Sequence, residues 1–305
     1  MDGISAPDGA TRGIDERHPL IKPRRVSFDW EQTPLHWIPG DPVATHLINC
    51  FHLMLPTGER WFIECVRDAQ PEITDERLLT EVKGFIGQEM VHARAHQGVL
   101  ERLLEGYGID HRKLTEAAER RNDERPARRA AMPPRKRRRL LMFELAMVAA
   151  IEHYTAVLGQ WIIDDRGLER AGTDPTMLDM LRWHGAEEVE HRSVVFDVYR
   201  HLGGKYPMRV AAYVFSLALM AYGTWPGAME LMRQDPTVHG KVTFPRVFVS
   251  YLRSVRRGHL PAVFRMFARQ SLVYLRPAHH PSRVASTQQA LDYLATSPAA
   301  TAARR

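Results

Sequence analysis

From residue 43 onward, apolar residues recur at i, i+3 and i+4, and alternating strand-like patterns are scarce. This periodicity predicts helices over 43–70, 75–105, 135–164, 174–202, 207–232, 243–257, 260–275 and 286–296, the first kinked at Pro56. Thr74-Asp75-Glu76 offers a capping oxygen followed by acid at the start of the second helix, and Gly203-Gly204 suits the end of the fourth. The expected fold class is all-α. Ahead of the helices, residues 26–42 carry Trp30, Trp37 and three prolines and read as an irregular arm packed on the body. Residues 1–25 are polar with no apolar period and read as disordered. Val210–Trp225 is sixteen residues without a charge. A membrane span needs about 20 apolar residues. The segment is therefore expected to be a buried core helix, with a pocket wall or a bilayer-docking helix as the alternative.

Composition narrows the class. The chain has 305 residues, 44% hydrophobic and 26% charged, which excludes global disorder. Its two cysteines, Cys50 and Cys65, form no CxxC pair, which excludes a disulfide scaffold and a cysteine-ligated cluster. Together with an N-terminal stretch lacking an apolar run, this predicts a cytoplasmic protein. The net charge of +6 is unevenly spread. Residues 120–139 hold ten basic and two acidic side chains, and Pro236–Leu291 holds nine basic and none acidic, so the rest of the chain is strongly acidic. Pro126, Pro133 and Pro134 lead to the expectation of a solvated basic connector loop over 120–139. No nucleic-acid-binding motif accompanies the basic runs, so no specific nucleic-acid partner is expected.

Two segments carry chemistry. Glu89, His92 and His96 share one face of the second predicted helix, with Phe85 and Ile86 beside them. His184, Glu188 and His191 share one face of the fourth, with Gly185 removing bulk; Glu187 competes, but Glu188 has the Glu-x-x-His register. Two Glu-x-x-His motifs on separate helices are the pattern of a dinuclear metal site, to which each of two further helices adds one glutamate. Four carboxylates offset two divalent cations and can bridge them, and one imidazole per metal leaves positions open for dioxygen or water. For the two lone glutamates, spacing leaves Glu152 against Glu144, and Glu59 against Glu64, unresolved.

The stretches LPTGERWFIECVR, GFIGQEMVHARAH, IEHYTAVL and WHGAEEVEHRSVVFDVY resemble the family labelled predicted metal-dependent hydrolases, over about residues 45–275. That resemblance implies a ferritin-like four-helix bundle with additional C-terminal helices. Its Pro-x-Gly-Glu and Glu-His-x-Thr-Ala patterns favour Glu59 and Glu152. The ligand order is also similar to that of di-iron arylamine N-oxygenases. By that likeness Glu59, Glu89, His92, Glu152, His184, Glu188 and His191 are the metal ligands, and His96, outside the seven-ligand scheme, is a catalytic base or an added ligand.

The expected organisation is an arm at 1–42, a metal-binding domain at 43–285 and a tail at 286–305. The expected activity is a di-iron oxygenase or oxidase holding two iron ions and acting on an apolar, lipid-like small molecule with an external electron donor. The alternative is a dinuclear hydrolase using zinc or manganese. The arginine-rich, acid-free region suggests contact with an anionic membrane periphery, and the helices after residue 205 could also form a homodimer interface.

Overall fold

The computed structural model describes residues 21–304, which form helices and connecting turns with no strand among them. Four long helices surround the centre: α1 (Pro42–Ala69), α2 (Glu76–Gly98), α5 (Pro134–Asp164) and α7 (Pro175–His191). Between them lie α3 (Arg112–Asp123), α4 (Arg125–Ala130) and α6 (Gly167–Arg170). Beyond come α8 (Val194–His201), α9 (Tyr206–Gln234), α10 (Phe244–Arg257), α11 (Val263–Tyr274), α12 (Thr287–Thr296) and α13 (Pro298–Ala302). Helix α1 packs on α2 and α5, and α7 packs on α5 and α2, so the four enclose a common interior. Helix α9 lies across α1 and α5, while α12 and α13 cover α7.

Local chemistry explains where the helices begin. The carboxylates of Asp41, Asp75 and Asp174 accept from the backbone N–H groups of Ala44, Leu78 and Met177, capping α1, α2 and α7. Proline follows the cap in α1 and α7, where its missing N–H costs nothing. Helix α1 runs through Pro56, which has no N–H to offer the carbonyl of His52. Helices α5 and α7 meet at Gly159 and Gly185: a Cβ at Gly159 would stand 2.2 Å from the Gly185 carbonyl oxygen. This backbone contact brings Glu152 and Thr155 level with His184 and Glu188.

The arm is held by aromatic burial. Trp37 is fully buried and its indole donates to Asn49 Oδ1 at 2.9 Å, joining the arm to α1. An indole so placed contributes about 3 kcal/mol. Its core includes Trp30, Leu47, Val99 and Leu231, so arm, α1, the π-helical turn Val99–Leu104 and α9 share one apolar cluster. His36, His46 and Thr237 converge on Asp235, tying the arm to the end of α9.

Several expectations are corrected. The segment 120–139 is largely helical, because Pro126 and Pro134 sit in the first turns of α4 and α5, where proline is tolerated. It is also pinned: Arg125 and Arg129 both reach Glu144, and Arg129 also pairs with Asp68. The expected helix 174–202 is two helices, broken at Arg192, whose buried guanidinium donates to the carbonyls of Pro281 and Ser282. Residues 21–25, expected to be disordered, lie on the body, with Ile21 and Pro23 against Gly84 and Gly87 of α2. The remainder of that expectation, residues 1–20, lies outside the described residues. Helix α9 is not wholly buried: Val214, Phe215, Leu219 and Tyr222 are exposed.

Candidate metal centre

Helices α1, α2, α5 and α7 project Glu59, Glu89, His92, Glu152, His184, Glu188 and His191 into the enclosed interior, and all seven are buried. The histidines share a pattern. His92 engages Glu187 Oε2 through Nε2 at 3.0 Å, while its Nδ1 faces Glu89 and Glu188 at 3.7 and 3.6 Å. His191 engages Gln88 Oε1 through Nδ1 at 2.9 Å, while its Nε2 faces Glu152, Glu89 and Glu188 at 3.1, 3.2 and 3.5 Å. In each ring one nitrogen is anchored outward and the other, without a hydrogen-bond partner, points inward. His184 Nε2 lies 2.8 Å from Glu188 Oε1 and 3.7 Å from Glu59 Oε1.

The carboxylates are the unusual element. Glu59, Glu89 and Glu152 are buried, and neither oxygen of any of the three has a hydrogen-bond partner. A buried anion without compensation costs several kcal/mol. Burial, and then the charges of Glu188 and Glu152, push the Glu59 carboxyl well above its ordinary value. Burial, and then Glu152, do the same to Glu89. Burial and Glu188 raise Glu152 to about 7. Glu188 is the exception: burial pushes it up, but His191 and His184 outweigh that and hold it well below. Burial opposes a charge on His191, yet Glu152 and Glu188 raise it well above the usual imidazole range. Burial and the neighbouring His184 keep His92 and His96 neutral.

This donor set fits cations. Ligand atoms of Glu59, His92 and His184 lie within 4.8 Å of one another, as do those of Glu89, His92 and Glu188, and those of Glu89, Glu152 and His191. Overlapping trios that share His92 and Glu89 form clustered groups that could hold a dinuclear site. Oxygen and imidazole donors suit divalent iron, manganese or zinc.

The structure also separates the competing glutamates. Glu144 faces away and pairs with Arg125 and Arg129, and Glu64 is partly exposed near Arg125. Neither joins the cluster. His96 Nε2 meets His184 Nδ1 at 2.9 Å and lies 3.7 Å from Glu59.

Sequence reasoning missed four supporting residues. His52 of α1 meets His96, Nδ1 to Nδ1, at 2.7 Å. It stands seven residues before Glu59, on the same helical face, and that phase was the available clue. Glu187 orients His92, and also accepts from Trp183 Nε1 at 3.2 Å and Arg24 at 2.8 Å. Gln88 orients His191 and donates to Glu190, which Arg24 also engages. Arg24 thus braces both metal-facing histidines from the arm. Nothing local in the sequence marks it.

A cavity of about 500 Å³ adjoins the cluster. Its inner end is formed by His52, His96, Thr155, His184 and Glu188, and its walls by apolar residues of α1, α5, α9, α10 and α11. Thr155 donates to Glu188 and holds that carboxylate at the cavity's edge.

No curated protein and no solved structure matches the chain significantly. A family model described as a predicted metal-dependent hydrolase matches residues 22–285, and the chain belongs to that family.

Proposed function

We propose that Glu59, Glu89, His92, Glu152, His184, Glu188 and His191 hold two divalent metal ions, and that the centre acts on an apolar small molecule bound in the adjoining cavity. The observation that carries this reading is the set of buried carboxylates of Glu59, Glu89 and Glu152, none of whose oxygens has a hydrogen-bond donor. Metal ions at such a centre supply Lewis acidity and charge compensation.

The protein's own contribution is positional. Glu187 and Gln88 fix the tautomers of His92 and His191, so that the inward nitrogens offer lone pairs. Three rings run in sequence from the centre: His184, His96 and His52. If His184 turns its Nε2 lone pair inward, its Nδ1–H donates to His96 Nε2. His96 Nδ1–H then donates to His52 Nδ1, and the proton of His52, a residue at the cavity's inner end, rests on its buried Nε2. The row can therefore hold a proton at His52 Nε2, at the inner end of the cavity, with each ring neutral. Apolar walls keep water from competing for the site.

The family's description favours hydrolysis as the reaction. Dioxygen activation is the second reading, favoured by the four-carboxylate, three-histidine donor set and the water-excluding cavity, and it would need an external electron donor. One experiment separates them. The apoprotein is loaded anaerobically with ferrous iron, manganese or zinc, and metal content, oxygen uptake and cleavage of an apolar ester are measured. Ester cleavage without oxygen supports hydrolysis. Oxygen uptake with an absorbance change only in the iron form supports the second reading. Fewer than two bound metals per chain under every condition would overturn the dinuclear centre itself.

A further inference from the structure

The cavity opens between α9 and α11, where Ala221, Phe264 and Ala268 both line it and reach the surface. The rim is unusual for a water-facing surface. On α11, Phe264, Arg265, Ala268, Arg269 and Leu272 occupy one exposed stripe at helical spacing, Phe264 being 56% and Leu272 71% exposed. On α9, Tyr222, next to Ala221, is 80% exposed, and Leu219 and Phe215 continue the same uncharged face. Helix α10 adds Phe244, 5.4 Å from Trp225 at the mouth.

Charge completes the pattern. The segment Pro236–Leu291, which contributes α10 and α11 to this rim, has nine lysines and arginines and no acidic residue, although the chain contains 36 acidic residues. Arg265 and Arg269 are exposed, and neither faces an acidic partner in an ion pair among the described residues. Exposed aromatic and aliphatic side chains interleaved with cations match the interface of an anionic bilayer. There the apolar groups enter the acyl boundary and the cations meet lipid headgroups.

We propose that the α9–α11 face docks on an anionic membrane surface, so that the cavity mouth opens onto the bilayer and draws its apolar substrate from it. The substrate class, a membrane-dissolved acyl or similar apolar chain, rests on the proposed role of the cavity. The docking itself does not.

The test is co-sedimentation of the full chain with vesicles of phosphatidylcholine alone, or of phosphatidylcholine mixed with phosphatidylglycerol, at low and physiological salt. Wild-type protein should pellet with the anionic vesicles and more weakly as salt rises. The pairs Arg265→Glu/Arg269→Glu and Tyr222→Asp/Leu272→Asp should each weaken binding by at least about tenfold, with circular dichroism and metal content unchanged. Glu89→Ala should lose metal but keep vesicle binding, which separates failure of docking from failure of the metal centre. Absence of binding at low salt, or binding untouched by both pairs, overturns the proposal. So does a concentration-dependent dimer that Tyr222→Asp dissolves in a chain that ignores vesicles.

Discussion

Helix α5 carries two buried glutamates two turns apart, Glu144 and Glu152, and they sit in opposite surroundings. Glu144 meets Arg125 at 2.6 Å and also pairs with Arg129. Glu152 meets other carboxylates and His191, and neither of its oxygens has a hydrogen-bond partner. Helix α1 repeats the contrast: Glu64 lies 3.6 Å from Arg125, whereas Glu59 is buried among Glu188, His96 and His184. Burial of a carboxylate therefore says little by itself. The identity of the counter-charge separates a structural ion pair from a site that calls for a cation. The basic segment 120–139 belongs to the first kind, since two of its arginines are spent on Glu144.

The contrast can be broken by mutation. Glu89→Ala should have the largest effect, lowering metal affinity by more than the roughly 100-fold that loss of an outer partner costs. The metal-free protein should melt no lower than wild type, because an uncompensated buried carboxylate is gone. Elemental analysis and thermal melting check both halves, and retained metal would end the reading.

Glu144→Ala should do the reverse. It leaves Arg129 with Asp68 and Arg125 with Glu64 as their remaining acidic partners, and losing a hydrogen bond between charged groups costs about 2 kcal/mol. Urea unfolding should show that loss while metal content stays at the wild-type level. A Glu144→Ala protein that unfolds normally but cannot bind metal would erase the distinction.

Glu187→Gln sharpens the comparison at smaller scale. It weakens the anchor of His92 Nε2 and the grip of Arg24, so metal affinity should fall by about tenfold to 100-fold without being abolished. Isothermal titration with manganese gives the number, and unchanged affinity would leave Glu187 as packing alone.

The smallest effect is in pH. Glu152 has a folded value of about 7 against an ordinary 4.5. Its neutral form is thus favoured in the metal-free fold. That stability is complete below the ordinary value and is lost as pH rises through about 7. Metal ions require the ionised form, and His191, also raised, must shed its proton. The metal-induced rise in melting temperature should therefore be larger near pH ~7.5 than near pH ~5.5. Equal shifts at the two values would contradict the assignment.

The sequence by itself determined the all-α class, the long helices and the phase of the two Glu-x-x-His faces, but not the shorter helices α3, α4, α6 and α13 or the break between α7 and α8. Those properties follow from a local 3.6-residue period and from capping residues such as Asp41, Asp75 and Asp174. It also made Glu187 a competitor of Glu188 without revealing that one points inward and the other braces His92. The tertiary structure alone decided between Glu59 and Glu64, and between Glu144 and Glu152, on any reading of the residues without a family likeness. It alone brought Arg24 and His52 to the centre, and left one face of α9 in water. The reason is physical: helical periodicity is set by neighbours three and four residues away. Whether a buried charge finds an arginine or a second carboxylate depends on segments tens of residues distant, and only packing brings them together.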